Sequence, residues 1–340
     1  MVWNTREIEN ITKQKLIVER GDAGGDEKFG LYTTARKHLI EQILSEIKGI
    51  LPDHTDHDIP HIENVLDNAR KLLGDDVKNL SGTDLYCLIL SILFHDTGNV
   101  FGRKEHQRKV GEIYKFVRPG IEFKPDENSI ILAAAAAHCG KAKDGTKNTL
   151  KEISEHGHMD GQPVKLREIA AILRFADELA EGPQRTSLFM QQQHKYRASS
   201  KIFHEYAQAT NICIDRGNQR IVATYNILFE IRGNGTLAAK SEKSISDLLN
   251  FIYKRIIKLN QERQYARHYC NLLAPFKKTS VAFNFYANRD LLDLDLDEVD
   301  LTDLVVPEDT QKQFTEYNSE YELNNIISKI NRNLPKRRSE

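Results

Sequence analysis

His61, His95, Asp96, His106, His138 and Asp177 are of types that can hold a divalent cation, and they stand where apolar residues would cost less. His95 and Asp96 end the apolar run of SILFHDTGNV, and Asp177 falls between Phe175-Ala176 and Leu179-Ala180. A carboxylate on an inward helix face needs a cation or strong donors, because a buried charge is expensive unless it is paired. Imidazoles mixed with carboxylates suit Zn, Fe, Mn, Ni or Co, whereas an all-oxygen shell suits Mg. For any single histidine, exposure or a local hydrogen bond is the cheaper explanation. The set as a whole, spread over separate segments with an inward aspartate among them, points to a metal.

Helices must bring these groups together. ARKHLIEQILSEIKGI (35–50) and HIENVLDNARKLLG (61–74) carry apolar residues at helical spacing. SGTD (81–84) supplies a cap for a third helix, apolar nearly all round from Leu85 to Phe94 and so expected in the middle of a bundle. KEHQRKVGEIYKFV (104–117), PDENSIILAAAAAHCG (125–140) and LREIAAILRFADELAEG (166–182) continue the helical pattern. After about residue 185 the period changes. IFHEYAQATNICIDRGNQRIVATYNILFEIRGNG (202–235) alternates, with RGNQR as a hairpin turn, which predicts antiparallel strands. A long helix over about 241–273 and a strand at SVAFNFY (280–286) follow. The expected fold is mainly α: a helical bundle over about 1–190, then an α+β lobe over 191–289 with antiparallel strands and a long helix. The segment 290–340 is acidic and then basic; its DLLDLDLDEVDLTDLVVPED suits either an edge strand or a partly ordered tail.

Composition excludes several classes. With 48 basic and 49 acidic residues the net charge is -1, so no global field draws the chain to nucleic acid or an anionic membrane. The apolar stretches are too short to span a bilayer, and the N-terminus has no secretory h-region. Cys87, Cys139, Cys213 and Cys270 lack paired spacing and read as free thiols in a reducing compartment, so a cytoplasmic location is expected. Zinc-finger spacing and glycine-rich phosphate loops are absent, and no sequence-specific nucleic-acid partner is expected. QERQYARHY (261–269) suits a packing seam better than a substrate contact.

Three motifs in order carry a family resemblance. HTDHDIPHIENV, ILFHDTGN and ILRFADELAEG resemble the metal-site segments of the HD-domain superfamily of metal-dependent phosphohydrolases, over roughly residues 35–185. More loosely, the following lobe and long helix resemble HD proteins of bacterial conflict and signalling systems. The superfamily resemblance implies an HD-type bundle in which His61, His95, Asp96 and Asp177 bind a first ion. In members with two ions, extra histidines serve the second; here these are His106 and His138, with Asp96 bridging. The chain departs from that pattern where Cys139 follows His138 in place of a paired histidine, and it lacks the Gly-Tyr-Pro signature of the cyclic-di-nucleotide branch.

The resemblance implies a phosphohydrolase or phosphodiesterase that hydrolyses a nucleotide or nucleotide-derived substrate with metal-activated water. Asp96, His106 and Arg103 are the expected catalytic residues. One or two divalent ions (Mn, Ni, Co, Fe, Zn or Mg) are the expected cofactor. Arg103, Lys104, Arg108 and Lys141 are candidates for the substrate phosphate, each weighed against a solvated charged face. His57 and Asp58 are placed behind the metal ligands, as orienting groups or a polar loop. Two rivals stay open: a deoxynucleoside triphosphate triphosphohydrolase, and a non-catalytic metal-containing nucleotide sensor or scaffold. The expected partner is a nucleotide-like small molecule, with no membrane; a homo-oligomer is allowed.

Overall fold

A capping box starts the most buried helix, α4 (Gly82–Phe94): Ser81 Oγ accepts from Asp84 N at 2.9 Å, and Asp84 returns the bond by accepting from Ser81 N at 3.0 Å. All its residues are buried, as its all-round apolar sequence requires. In this computed structural model, which describes residues 3–50, 58–118, 124–187, 189–190, 193, 196–197, 199–232, 235–303 and 312–334, the chain divides into two units. The first comprises Met1–Ala180 with Tyr265–Pro275, and the second Glu181–Gln264 with Phe276–Glu340.

In the first unit, α4 packs against α1 (Glu7–Leu39), α6 (Pro125–Ala137) and α7 (Leu166–Glu178). Helix α3 (Ile59–Leu73) packs on α7, and α5 (His106–Val117) on α6. The helices expected after residue 60 are present. The N-terminal one begins far earlier than the periodicity predicts, at Glu7, and breaks at Gly21, where φ is +76°. A π-helical turn (Ile40–Leu44) and α2 (Ser45–Ile50) complete it. The early part escapes a pattern search because its inward positions include Glu9, Thr12, Gly25 and Lys28 among Ile8, Leu16 and Tyr32. Burial of Glu9 is satisfied by Tyr32 Oη (2.9 Å), the Arg6 backbone N–H (2.6 Å) and the Arg36 guanidinium.

A two-stranded hairpin, β1 (Gly157–Met159) with β2 (Gln162–Val164), interrupts the helices where a surface loop is the simpler expectation. Asp160 lies at its turn and pairs with Lys28 at 3.0 Å and Arg20 at 3.1 Å, so its role is to pin the hairpin to α1. Burial would raise its carboxyl, but Lys28, Lys124 and Arg20 outweigh that and hold it below the usual range. A depressed carboxyl contributes stability that is present above its ordinary value and is lost as pH falls through the folded-state value. We expect Asp160→Asn to lower Tm at neutral pH, with the gap closing below about pH 4, as thermal melts across pH would read.

In the second unit, residues 202–209, expected to belong to the strands, form a helix instead, with His204, Tyr206 and Ala207 buried; β3 (Thr210–Asp215) and β4 (Arg220–Phe229) then form the expected antiparallel hairpin. The long helix α9 (Ala239–Tyr269), after α8 (Lys201–Ala209), leads to β5 (Lys278–Ala287). Because a helical crossover joins them, β4 and β5 run parallel, in register from Arg220↔Lys278 to Phe229↔Ala287. The acidic stretch supplies strands: β6 (Asp290–Leu292) and β7 (Val299–Thr302) both pair antiparallel with β5. Residues 304–311 lie outside the described residues, and α10 (Leu323–Asn333) follows. Arg263, fully buried, donates to Asn260 Oδ1, Thr279 Oγ and the Phe276 carbonyl, so the QERQYARHY segment serves packing there. Among the described residues no single helix is long and apolar enough to cross a membrane.

Candidate metal centre

Each candidate ligand sits at or near a helix end. His61 is in the first turn of α3; His95 follows the last residue of α4; His106 opens α5; His138 follows the last residue of α6; Asp177 is in the last turn of α7. Several ties hold these ends in place. Asn68 of α3 donates to the Ala176 carbonyl of α7 at 3.1 Å, next to Asp177. Thr149 Oγ donates to the Ala137 carbonyl at 2.6 Å and accepts from Arg174 Nη1 of α7 at 2.6 Å, fixing the turn that carries His138. Asp58, buried at the start of α3, turns the chain: its carbonyl accepts from the His61 and Ile62 N–H groups. His57 lies outside the described residues.

The groups fall into two clusters. His61, His95, Asp96 and Asp177 form one; His106, His138 and Cys139 form the other. Asp96 joins them through its two oxygens. Oδ2 faces the first cluster, 3.7 Å from His61 Nε2 and 3.5 Å from His95 Nε2. Oδ1 faces the second, 2.9 Å from His106 Nε2 and 3.5 Å from His138 Nε2. Asp177 Oδ1 closes the first cluster at 3.1 Å from His61 Nε2 and 3.6 Å from His95 Nε2. The backbone at Asp96 (φ -105°, ψ 0°) is in the bridge region, where many active-site residues are found.

Local sequence orients the rings. His95 and His106 each place Nδ1 against the carbonyl three residues earlier, Ile92 at 2.7 Å and Arg103 at 3.0 Å; His138 does the same with Ala135. Such a bond fixes Nδ1 as the donor and leaves Nε2 as the ligand atom, an arrangement common behind metal-bound histidines. His61, His95, Asp96, His106 and His138 are all buried. His95 Nε2 is buried without a hydrogen-bond partner, its nearest carboxylate oxygens lying 3.5 and 3.6 Å away. That orphaned nitrogen, among carboxylates that would otherwise repel each other, fits a divalent cation. The donor set of imidazoles and carboxylates fits as well.

Electrostatics agree. Burial lowers His95, but Asp96 and Asp177 outweigh it and raise the imidazole to about 9. Burial would raise Asp177, but His61 and His95 hold it well below the usual carboxylate range. His106 and His138 are raised against burial, by Asp96 and by Cys139. Burial pushes the Cys139 thiol up, yet His138 and His106 bring it down to about 6. A cation competes with protons for the same nitrogens, so loading releases protons and weakens in acid.

Of the phosphate candidates, Arg103 is brought against the clusters: its Nη1 lies 3.6 Å from Asp96 Oδ1, with 44% of the side chain exposed. Asn99, fully buried, holds it by accepting at 3.2 Å. Arg108 instead pairs with Glu105 on the surface at 3.2 Å. Lys104 and Lys141 are exposed, in the turns beside His106 and His138. Cys139, read from sequence as a free thiol and a departure from the paired-histidine pattern, is brought into the second cluster. Its signal was its place directly after His138, at the position where a second histidine is otherwise expected.

Gly98 positions the second cluster. A Cβ added there would come within 2.0 Å of the His106 carbonyl oxygen, so only glycine lets the turn after Asp96 touch the start of α5. We expect Gly98→Ala to displace His106 and cost about 1–3 kcal/mol, the range for an overpacked site. Urea unfolding together with metal content per chain checks this; an unchanged midpoint and full loading would refute it.

The HD-CE family matches residues 51–258, from before His61, through every cluster ligand, and on into α9. No curated protein and no solved structure matches the chain. The match covers more than half of the sequence and includes the β3–β4 hairpin as well as the helices, and the site has the donor set of an HD-type metal centre. The chain belongs to the HD-CE family, an HD-type domain family.

Proposed function

We propose that the protein is a metal-dependent phosphoric ester hydrolase acting on a nucleotide or nucleotide-derived substrate. The observation that carries this reading is the Asp96 carboxylate, which turns one oxygen to each of two histidine clusters. His61, His95, Asp96 and Asp177 would hold one cation, and His106 and His138 with the other Asp96 oxygen a second. Divalent ions lower the pKa of water and polarise a phosphoryl oxygen.

The protein's own groups supply the rest. Arg103, half in solvent and anchored by Asn99, offers guanidinium N–H groups to an entering phosphate, a geometry matched to paired oxygen acceptors. Its position 3.6 Å from Asp96 puts positive charge where negative charge develops at phosphorus. The buried rings of His95, His106 and His138 pack edge to face, with centroids 5.1 and 5.4 Å apart, and keep bulk water from the ligand atoms. A small-molecule substrate suits the balanced net charge of -1 better than a nucleic-acid strand does.

The test is a panel of nucleoside mono-, di- and triphosphates and cyclic and dinucleotide compounds, run with Mn, Ni, Co, Mg and Fe separately. Metal-dependent turnover that is lost in His95→Ala supports the proposal. Free triphosphate as the product would move the protein to the triphosphohydrolase class. Tight binding of a nucleotide with no turnover under any metal would replace the enzyme by a sensor.

A further inference from the structure

The second cluster has a composition different from the first. Cys139 Sγ lies 3.8 Å from His106 Nε2, and His106 Nε2 lies 3.4 Å from His138 Nε2. Asp96 Oδ1 is 2.9 Å from the first imidazole and 3.5 Å from the second. One sulfur, two nitrogens and one oxygen thus converge from the turn after α4, the start of α5 and the turn after α6.

A four-coordinate zinc-type centre with M–N near 2.05 Å and M–S near 2.3 Å separates its nitrogens by about 3.4 Å and nitrogen from sulfur by about 3.6 Å. The observed 3.4 and 3.8 Å are close to these values. Asp96 Oδ1 sits within about half an ångström of the matching nitrogen–oxygen edge. The chain turns away immediately after the thiol, at Gly140, where φ is +91°.

We propose that Cys139 is a ligand of the second metal subsite, so that the two subsites are chemically unequal. The first is an imidazole–carboxylate site. The second is a thiolate-containing site for a borderline-soft ion such as Zn²⁺, Fe²⁺ or Co²⁺, from which Mg²⁺ is excluded because hard, oxygen-seeking ions gain little from sulfur. This rests on the metal-site reading above and deepens it. The alternative for Cys139 is a thiol that only hydrogen-bonds to His106, and it predicts no bond between sulfur and metal.

Cobalt(II) distinguishes the two without any measurement of activity. The full-length protein loaded with Co²⁺ is expected to bind two ions per chain and to show a sulfur-to-cobalt charge-transfer band in the near ultraviolet, besides visible d–d bands. In Cys139→Ser the band disappears and the stoichiometry falls toward one, while the first subsite keeps its d–d absorption and so reports a folded bundle. Cys139→His restores the second ion without the band. An excess of Mg²⁺ leaves the band in place. Cobalt binding to the native chain without the near-ultraviolet band, or a band that persists in Cys139→Ser, overturns the role of Cys139 and leaves the first subsite intact. A native chain that takes up no cobalt at all overturns the metal-site reading itself.

Discussion

Asp96→Ala is expected to remove metal from both clusters and to reduce turnover by about 10³-fold or more, while far-UV circular dichroism stays near native. The reason is geometric. The other carboxylate, Asp177, serves only the first cluster, and each imidazole belongs to one cluster, but Asp96 contributes an oxygen to both. Losing the bridge therefore weakens two subsites at once. Lewis-acid stabilisation of the developing charge amounts to several kcal/mol, and each 1.36 kcal/mol is about tenfold in rate. Asp96→Asn is the finer probe: it keeps the shape and a neutral oxygen but removes the charge. Metal content by elemental analysis and turnover on the best panel substrate are the readouts. Full loading with undiminished turnover in Asp96→Ala would show that chemistry takes place elsewhere.

Glu127→Ala should destabilise the first unit by about 3–5 kcal/mol. Glu127 is buried in the first turn of α6 and accepts from Tyr86 Oη, Tyr114 Oη and Arg118 Nη2, each at 2.8 Å, and from Lys28 Nζ at 3.4 Å. These donors come from α1, α4, α5 and the residue just after α5. Removing the carboxylate leaves the buried ammonium of Lys28 and guanidinium of Arg118 with less compensating charge, and a buried uncompensated charge costs far more than a lost neutral hydrogen bond. Thermal melts should fall by roughly 10 °C. The site is affected as well. Helices α5 and α6 are tied by Glu127 at one end and present His106 and His138 at the other, about 17 Å along each helix. Loading of the second cluster should thus weaken before that of the first. A loss of less than about 1 kcal/mol would mean that water replaces the carboxylate adequately.

Much of this protein is written in short-range pattern. The capping box of Ser81 and Asp84, the apolar face of α3 and the all-round apolar α4 are local properties, so the helices that bear His61, His95 and Asp177 can be read directly from spacing. The donor set is equally legible, because histidines and an inward aspartate spread over separate helices point together to a shared cation, as no single one of them does. Residues 7–34 were not legible as helix. Their inward face carries Glu9, Thr12 and Lys28, polar groups satisfied by Tyr32 and Arg36, by the Ile8 carbonyl, and by Glu127 and Asp160 respectively, and periodicity counts only apolar positions.

By itself, then, the chain's order of residues determined the helices that bear the ligands and which side chains are available as ligands. Only the tertiary structure decided how those ligands are shared. It split the two oxygens of Asp96 between two clusters, took Arg103 and left Arg108 on the surface, gave Asp160 to the β1–β2 hairpin, and brought Cys139 to within 3.8 Å of His106. The physical reason is that helical periodicity specifies a face, whereas the meeting of helix ends depends on packing between residues far apart in the chain. Gly98 shows both sides of this: a glycine after the His-Asp pair is plain in the sequence, but the His106 carbonyl oxygen that excludes any larger residue is visible only once α5 is folded against it.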